Sequence, residues 1–246
     1  MNIGVEIEFT GVDRHSVAVA LNNMLGVKMV AMCKHRENPD YPDDCPRYFD
    51  AFRIFNGNKN KYYYLTRDIS ISDITDKKSI TGVTINEYNA YDFRNEVVTP
   101  VLDSNSESDM NELRSVFTVI KALGGVSNSS CGLHIHIDRP KDIIGVFKKW
   151  VMLQEAFADY FEPYESRLEK YAKLYRNVDK YEISSVDDIF AYIKAEYGES
   201  ESLRRFALNF DSLNVHNTLE FRLFNGTLDF ETVMSYVNAI KGFMNM

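Results

Sequence analysis

Apolar and polar residues alternate along residues 2–10. Ile3, Val5, Ile7 and Phe9 stand against Asn2, Gly4, Glu6 and Glu8. A period of two predicts a β-strand with one apolar face. The pattern returns in CGLHIHID (131–138), where Leu133, Ile135 and Ile137 oppose His134, His136 and Asp138. It returns again in NTLEFRLFNGT (217–227), where Leu219, Phe221 and Leu223 oppose Glu220 and Arg222. DFRNEVVT (92–99) predicts a further strand that carries Glu96 and stops at Pro100. FRIF-NGNKN-KYYYLTRD predicts a hairpin around Asn56-Gly57, and residues 205–210 with 217–224 predict a second one around Asn214.

Between these strands the period lengthens. Residues 14–25 predict a helix closed by Gly26, and residues 108–123 another that ends at Gly124-Gly125. A long helix is predicted over 141–160, two more within 163–200, and a last one from Asp229 onward. Ser184-Ser185-Val186-Asp187 has the residue types of a helix start. A polar stretch marked by Pro39, Pro42 and Pro46 reads as a loop excursion over 33–60 and a candidate lid. Mixed strands and helices with hairpins imply an α+β fold, with an antiparallel or mixed sheet and helices on one side. Nothing reads as a linker, so residues 1–246 are taken as one domain, with the excursion at 33–60 and a helical insertion at 163–200.

Composition narrows the partners. Lys plus Arg is 28 against 36 for Asp plus Glu, a formal net charge of -8. That argues against nucleic acid as the partner, because phosphate backbones need a concentrated basic face. Cys33, Cys45 and Cys131 are odd in number and widely spaced, which fits neither a disulfide framework nor a zinc ribbon. The opening MNIGVEIEFTGV is a strand pattern rather than a signal core, and no stretch approaches the roughly 20 apolar residues of a membrane span. The expectation is a reduced, cytoplasmic protein.

The polar faces carry the candidate chemistry. Glu6, Glu8, Glu96, His134, His136, Glu220 and Arg222 each sit opposite an apolar position on a predicted strand. Taken singly, a Glu-x-Glu strand reads as the solvated face of an antiparallel sheet, His-x-His as a structural or solvent-facing pair, and Glu220 with Arg222 as a surface ion pair. Together they suit a cation: clustered carboxylates repel and need positive charge, and carboxylate with imidazole fits Mg²⁺, Mn²⁺ or Zn²⁺. There is no G-x-x-x-x-G-K-[ST] loop, no H-E-x-x-H and no G-x-G-x-x-G. A bound nucleotide would therefore be held by metals and arginines.

GVEIEF (4–9), EVVTP (96–100), CGLHIHID (131–138) and RFALNFDSLNVHNTLEFRLFNGTLD (205–229) together resemble the amidoligases. These are carboxylate–amine ligases related in catalytic fold to glutamine synthetase and glutamate–cysteine ligase. The resemblance implies a curved, mostly antiparallel sheet with helices on its convex face, ATP entering an open funnel, and two or more Mg²⁺ (or Mn²⁺) ions. It matches Glu6, Glu8, Glu96, His134 and Glu220 to metal ligands, and His136 to a histidine near nucleotide or substrate. It matches Arg222 and Arg205 to arginines that face phosphate. The implied division puts Glu6, His134 and Glu220 on one metal and Glu8 with Glu96 on another. One departure stands out: where relatives carry Asp-Gly-Ser, this chain has Asp68-Ile69-Ser70. The implied activity is ATP-dependent amide formation, through an acyl phosphate, from small-molecule or peptide carboxylates and amines. A metal-dependent hydrolase using the same cluster, or a non-catalytic nucleotide- or peptide-binding protein, remain alternatives on the residues alone.

Overall fold

The computed structural model describes residues 1–25, 28–32, 51–56, 61–72, 74, 79, 82–86 and 89–246. The alternating segment Asn2–Phe9 forms strand β1, with Ile3, Val5, Ile7 and Phe9 almost wholly buried. Its two neighbours are β5 (Asn95–Val98) on one side and β7 (Leu133–Asp138) on the other, both antiparallel. Outward from β5 lie β4 (Lys61–Arg67), β3 (Ala51–Asn56) and β2 (Lys28–Met32). Outward from β7 lie β9 (Thr218–Phe221) and β8 (Leu208–Asn209). The short β6 (Leu102–Asp103) pairs with the start of β1 beside β5. All these pairings are antiparallel, and no pairing joins β2 to β8 among the described residues. The fold is α+β, as expected.

Seven α-helices accompany the sheet among the described residues. They are α1 (Arg14–Leu25), α2 (Glu107–Ala122), α3 (Ile143–Phe161), α4 (Glu165–Lys170), α5 (Val186–Tyr197), α6 (Ser212–Val215) and α7 (Phe230–Asn245). Four of them start on residues chosen for the task. Ser106, Asp142, Ser185 and Asp229 each accept a backbone N–H of the first turn, and Ser185 closes a reciprocal box with Asp188. The apolar stripes of α1, α2, α3, α5 and α7 join the apolar sheet face in one core. At its centre Trp150 of α3 meets Phe157, Phe221 and Phe243 edge-on, with ring centroids 5.2, 5.6 and 5.7 Å away.

Several boundaries differ from the sequence reading. Residues 92–94 belong to a 3-10 turn (Ala90–Phe93) and its exit rather than to a strand. The second hairpin shortens to β8 and β9, with α6 folded between them. β2 and β6 carry too few residues to show an alternation. Of the expected excursion, 51–56 is strand β3, while 33–50 and 57–60 lie outside the described residues, together with Cys33 and Cys45. The segment 163–200 holds α4 and α5 with a 3-10 turn, Val178–Lys180, between them.

Trp150→Ala should cost about 3–5 kcal/mol in urea unfolding with an unchanged denaturant slope. Ser185→Ala should cost about 1 kcal/mol. Equal losses from the two would contradict the central place given to Trp150.

Candidate functional site

Register brings the polar residues together. Opposed residues on antiparallel strands point to the same face. Glu8 lies opposite Glu96, Glu6 opposite His134, His136 opposite Glu220, and Glu220 opposite Asn209. Four carboxylates and two imidazoles from β5, β1, β7 and β9 therefore stand in adjacent rows on the face away from the core.

The contacts are close. His134 Nδ1 lies 2.8 Å from Glu6 Oε2, and His136 Nε2 lies 3.1 Å from Glu6 Oε1. His136 Nδ1 is 2.9 Å from Thr218 Oγ1, which also bonds Ser212 of α6 at 2.7 Å. Glu220 is gripped from both sides: Asn209 Nδ2 donates to its Oε2 at 2.6 Å, and Arg222 Nη1 donates to its Oε1. Gly132 N–H donates to Glu8 Oε2 at 2.5 Å. His134 is almost wholly buried, and its Nε2 has no hydrogen-bond partner although Glu8 Oε1 is 3.4 Å away.

Burial and crowding set the charges. Burial would raise the pKa of Glu6, but hydrogen bonds from His134 and His136 outweigh it and hold the carboxyl well below the usual range. Burial likewise opposes ionisation of Glu220, and Arg222 with His134 reverses that. Glu96 behaves oppositely: burial, then repulsion from Glu6, Glu8 and Asp68, push it well above the ordinary carboxylate range. Burial also raises Glu8. His136 is raised, the hydrogen bond to Glu6 overcoming the effect of burial.

This donor set fits divalent cations. Three groups each offer ligand atoms within 4.8 Å of one another: Glu6–Glu96–His134, Glu6–His136–Glu220 and Glu8–Asp68–Glu96. The unpartnered Nε2 of buried His134 faces Glu8 Oε1, and a cation between the two would satisfy both. The grouping differs from the division implied by the resemblance. His136 joins Glu6 and Glu220, while Asp68 joins Glu8 and Glu96. Asp68 keeps its place despite the missing glycine: its Oδ1 accepts Ser70 N–H at 2.6 Å, and Ile69 points to solvent with no positive φ to demand glycine.

Two arginines have different fates. Arg222 is within the cluster. Arg205 ends a 3-10 turn (Leu203–Arg205), its side chain is exposed, and no contact among the described residues ties it to the cluster. Conversely, Arg167 of α4 is a buried cation that the sequence reading missed. Its Nε and Nη2 donate to Arg222 O at 3.1 and 2.9 Å, and burial lowers its pKa to about 10. It passes directly over Gly132, where a Cβ would stand 2.2 Å from Arg167 Nη2. Its helix reads as a solvated amphipathic one, which hid it. Asn209 was missed too, although its alternation with Leu208 places it on the Glu220 face.

Other expectations resolve plainly. In KYYYL (61–65), Tyr63 is buried and bonds Glu112, whereas Tyr62 and Tyr64 are exposed. Lys173 pairs with Glu201, and Arg176 lies over the Tyr197 ring. Cys131 is a buried, free thiol. No helix among the described residues is long and apolar enough to cross a membrane.

The chain matches the family model described as "putative amidoligase enzyme" over residues 1–244, and it belongs to that family. Its class is thus that of the amide-forming ligases. No curated protein and no solved structure matches it.

Because Glu96 is raised, folding of the metal-free protein takes up a proton there. Stability from this group is then lost as pH climbs from the ordinary carboxylate range through the raised value. Glu96→Gln should therefore raise Tm in chelator at neutral pH, by about 2–4 °C per kcal/mol of relieved repulsion. Millimolar Mg²⁺ should raise the Tm of the unaltered protein and leave that of the variant unchanged. A lower Tm in chelator would contradict the crowding described.

Proposed function

We propose that the protein is an ATP- and Mg²⁺-dependent ligase joining a carboxylate to an amine through an acyl phosphate, on a glutamine synthetase-like fold. The observation that carries this reading is the single sheet face shared by Glu6, Glu8, Glu96, His134, His136, Glu220 and Arg222. Family membership supports the bond formed. Residues 1–246 act as one catalytic domain, in the cytoplasm, on small-molecule or peptide substrates.

The roles follow from chemistry. Carboxylate and γ-phosphate are both anions, so bringing them together needs fixed positive charge. Glu6, Glu8, Glu96, His134 and Glu220, joined by Asp68 and His136, would hold Mg²⁺ or Mn²⁺, whose charge offsets that repulsion when bound. Arg222 is aligned by Glu220, and its planar fork suits bidentate contact with phosphate oxygens. Arg205, being exposed, would serve as an outer phosphate contact. His136, fixed by Thr218 and next to Glu6, is placed to handle the proton lost by the attacking amine.

Calorimetric titration of a non-hydrolysable ATP analogue should show Mg²⁺-dependent binding, weakened at least about tenfold by Glu220→Ala, a loss of about 1.4 kcal/mol. Arg222→Lys should lower ADP-forming turnover by about 10³-fold, because charge without the fork does not replace it. Failure to bind nucleotide with any divalent ion would overturn the reading in favour of a metal-dependent hydrolase.

A further inference from the structure

Next to the cluster the sheet face is hollow. A cavity of about 260 Å³ lies over Gly4, between Glu6 and His136 on one side and the Asn2–Asp138 pair on the other. Its size is at the small end for ligand pockets, suited to a molecule of amino-acid dimensions. Val98 and Val101 give it one apolar wall, and Val101 is well exposed.

Two independent observations indicate what it holds. The first is its charge. Its ionisable lining groups are Glu6, Asp138, His136 and His216, and no Lys or Arg lines it among the described residues. The nearby cations already have partners: Lys61 Nζ donates to the backbone O of Val101 at 2.5 Å and sits 3.7 Å from Asp109, and the Met1 amino group is 3.5 Å from Asp103. Arg222 pairs with Glu220, and neither it nor Arg167 reaches the cavity wall. Asn2 Nδ2 donates to Asp138 Oδ2 at 2.9 Å, which fixes that carboxylate and leaves the Asn2 amide oxygen as a further acceptor.

The second is the floor. Gly4 stands mid-strand, where glycine weakens a sheet unless something approaches closely. The fold itself does not require it: its φ is not positive, and a Cβ there would meet only His136 Cβ, at an ordinary 3.6 Å. The missing side chain leaves room for a ligand directly beside Glu6 and His136.

We infer that the cavity over Gly4 is the amine subsite: it takes a small primary amine as its ammonium ion, tail against Val98 and Val101, nitrogen over Gly4 between Glu6 at one end and Asp138 with Asn2 at the other. This rests on the ligase reading above. It separates the substrates by charge, anions toward Arg222 and the cation between Glu6 and Asp138.

The test is ligand-observed NMR of n-butylamine with the full-length protein, Mg²⁺ and a non-hydrolysable ATP analogue, at neutral pH. Saturation transfer to n-butylamine is expected, with none to butan-1-ol or butyrate. Gly4→Val and Asp138→Asn should each weaken binding at least tenfold. Absence of amine binding to the unaltered protein, equal binding to both variants, or preference for butyrate would overturn the proposal. Asp138 is exposed, so Asp138→Asn and the charge preference decide the matter if Gly4→Val does not fold. Nucleotide calorimetry on the same samples separates the two readings. Amine binding that depends on Gly4 without any nucleotide binding would sink the ligase reading and leave the cation pocket. Nucleotide binding with amine binding indifferent to both variants would sink the subsite alone.

Discussion

The register of β1 against its two neighbours is the constraint on which the rest depends. Glu8 opposes Glu96, and Glu6 opposes His134, only in one alignment. A slip of a single residue would turn Glu6 and Glu8 into the core and expose Val5 and Ile7. The core enforces the alignment, because buried unpaired carboxylates cost far more than any gain at the polar face. One set of contacts thus does two jobs. The apolar side of β1, β7 and β9 settles the pairing, and the pairing assembles the site.

Assembling it requires holding like charges together. The fold braces them with groups that carry no chemistry of their own: Gly132 N–H on Glu8, Asn209 on Glu220, Thr218 on His136. Arg167 ties α4 to the backbone of β9's exit and adds a buried positive charge near Glu8. Glu8 and Glu96 remain uncomfortable all the same. Such strain is characteristic of sites that await a counter-charge, and it is bearable here because the opposite face is so fully packed.

The sequence revealed the period-two strands, the helix start at Ser185 and the candidate ligands, because those signals are local. Glu6, Glu8, Glu96, His134, His136 and Glu220 could be singled out because each interrupts an apolar strand at the polar phase. What it could not reveal is adjacency. Arg167 lies in a charged helix whose local pattern predicts solvent, and only the glycine it crosses, Gly132, hinted at a close approach. Arg205 was singled out only through the resemblance, and a short 3-10 turn leaves its side chain exposed, with no contact to the cluster among the described residues. β2 and β6 were invisible because two to five residues cannot establish a period.

Glu6 and His134, in contact, are 128 residues apart in the chain. The last carboxylate of the cluster, Glu220, arrives on a strand whose partner His136 stands far upstream. Loop-closure entropy must therefore be met several times before the whole cluster is assembled. During synthesis β1 would wait, one face greasy and both edges open, for segments not yet made, a state prone to aggregation. Chains shortened before Thr218 would lose Glu220, Arg222 and the Thr218 brace on His136 together, and with them one of the three groups. Proteolytic loss of that last segment would accordingly act as an irreversible off-switch.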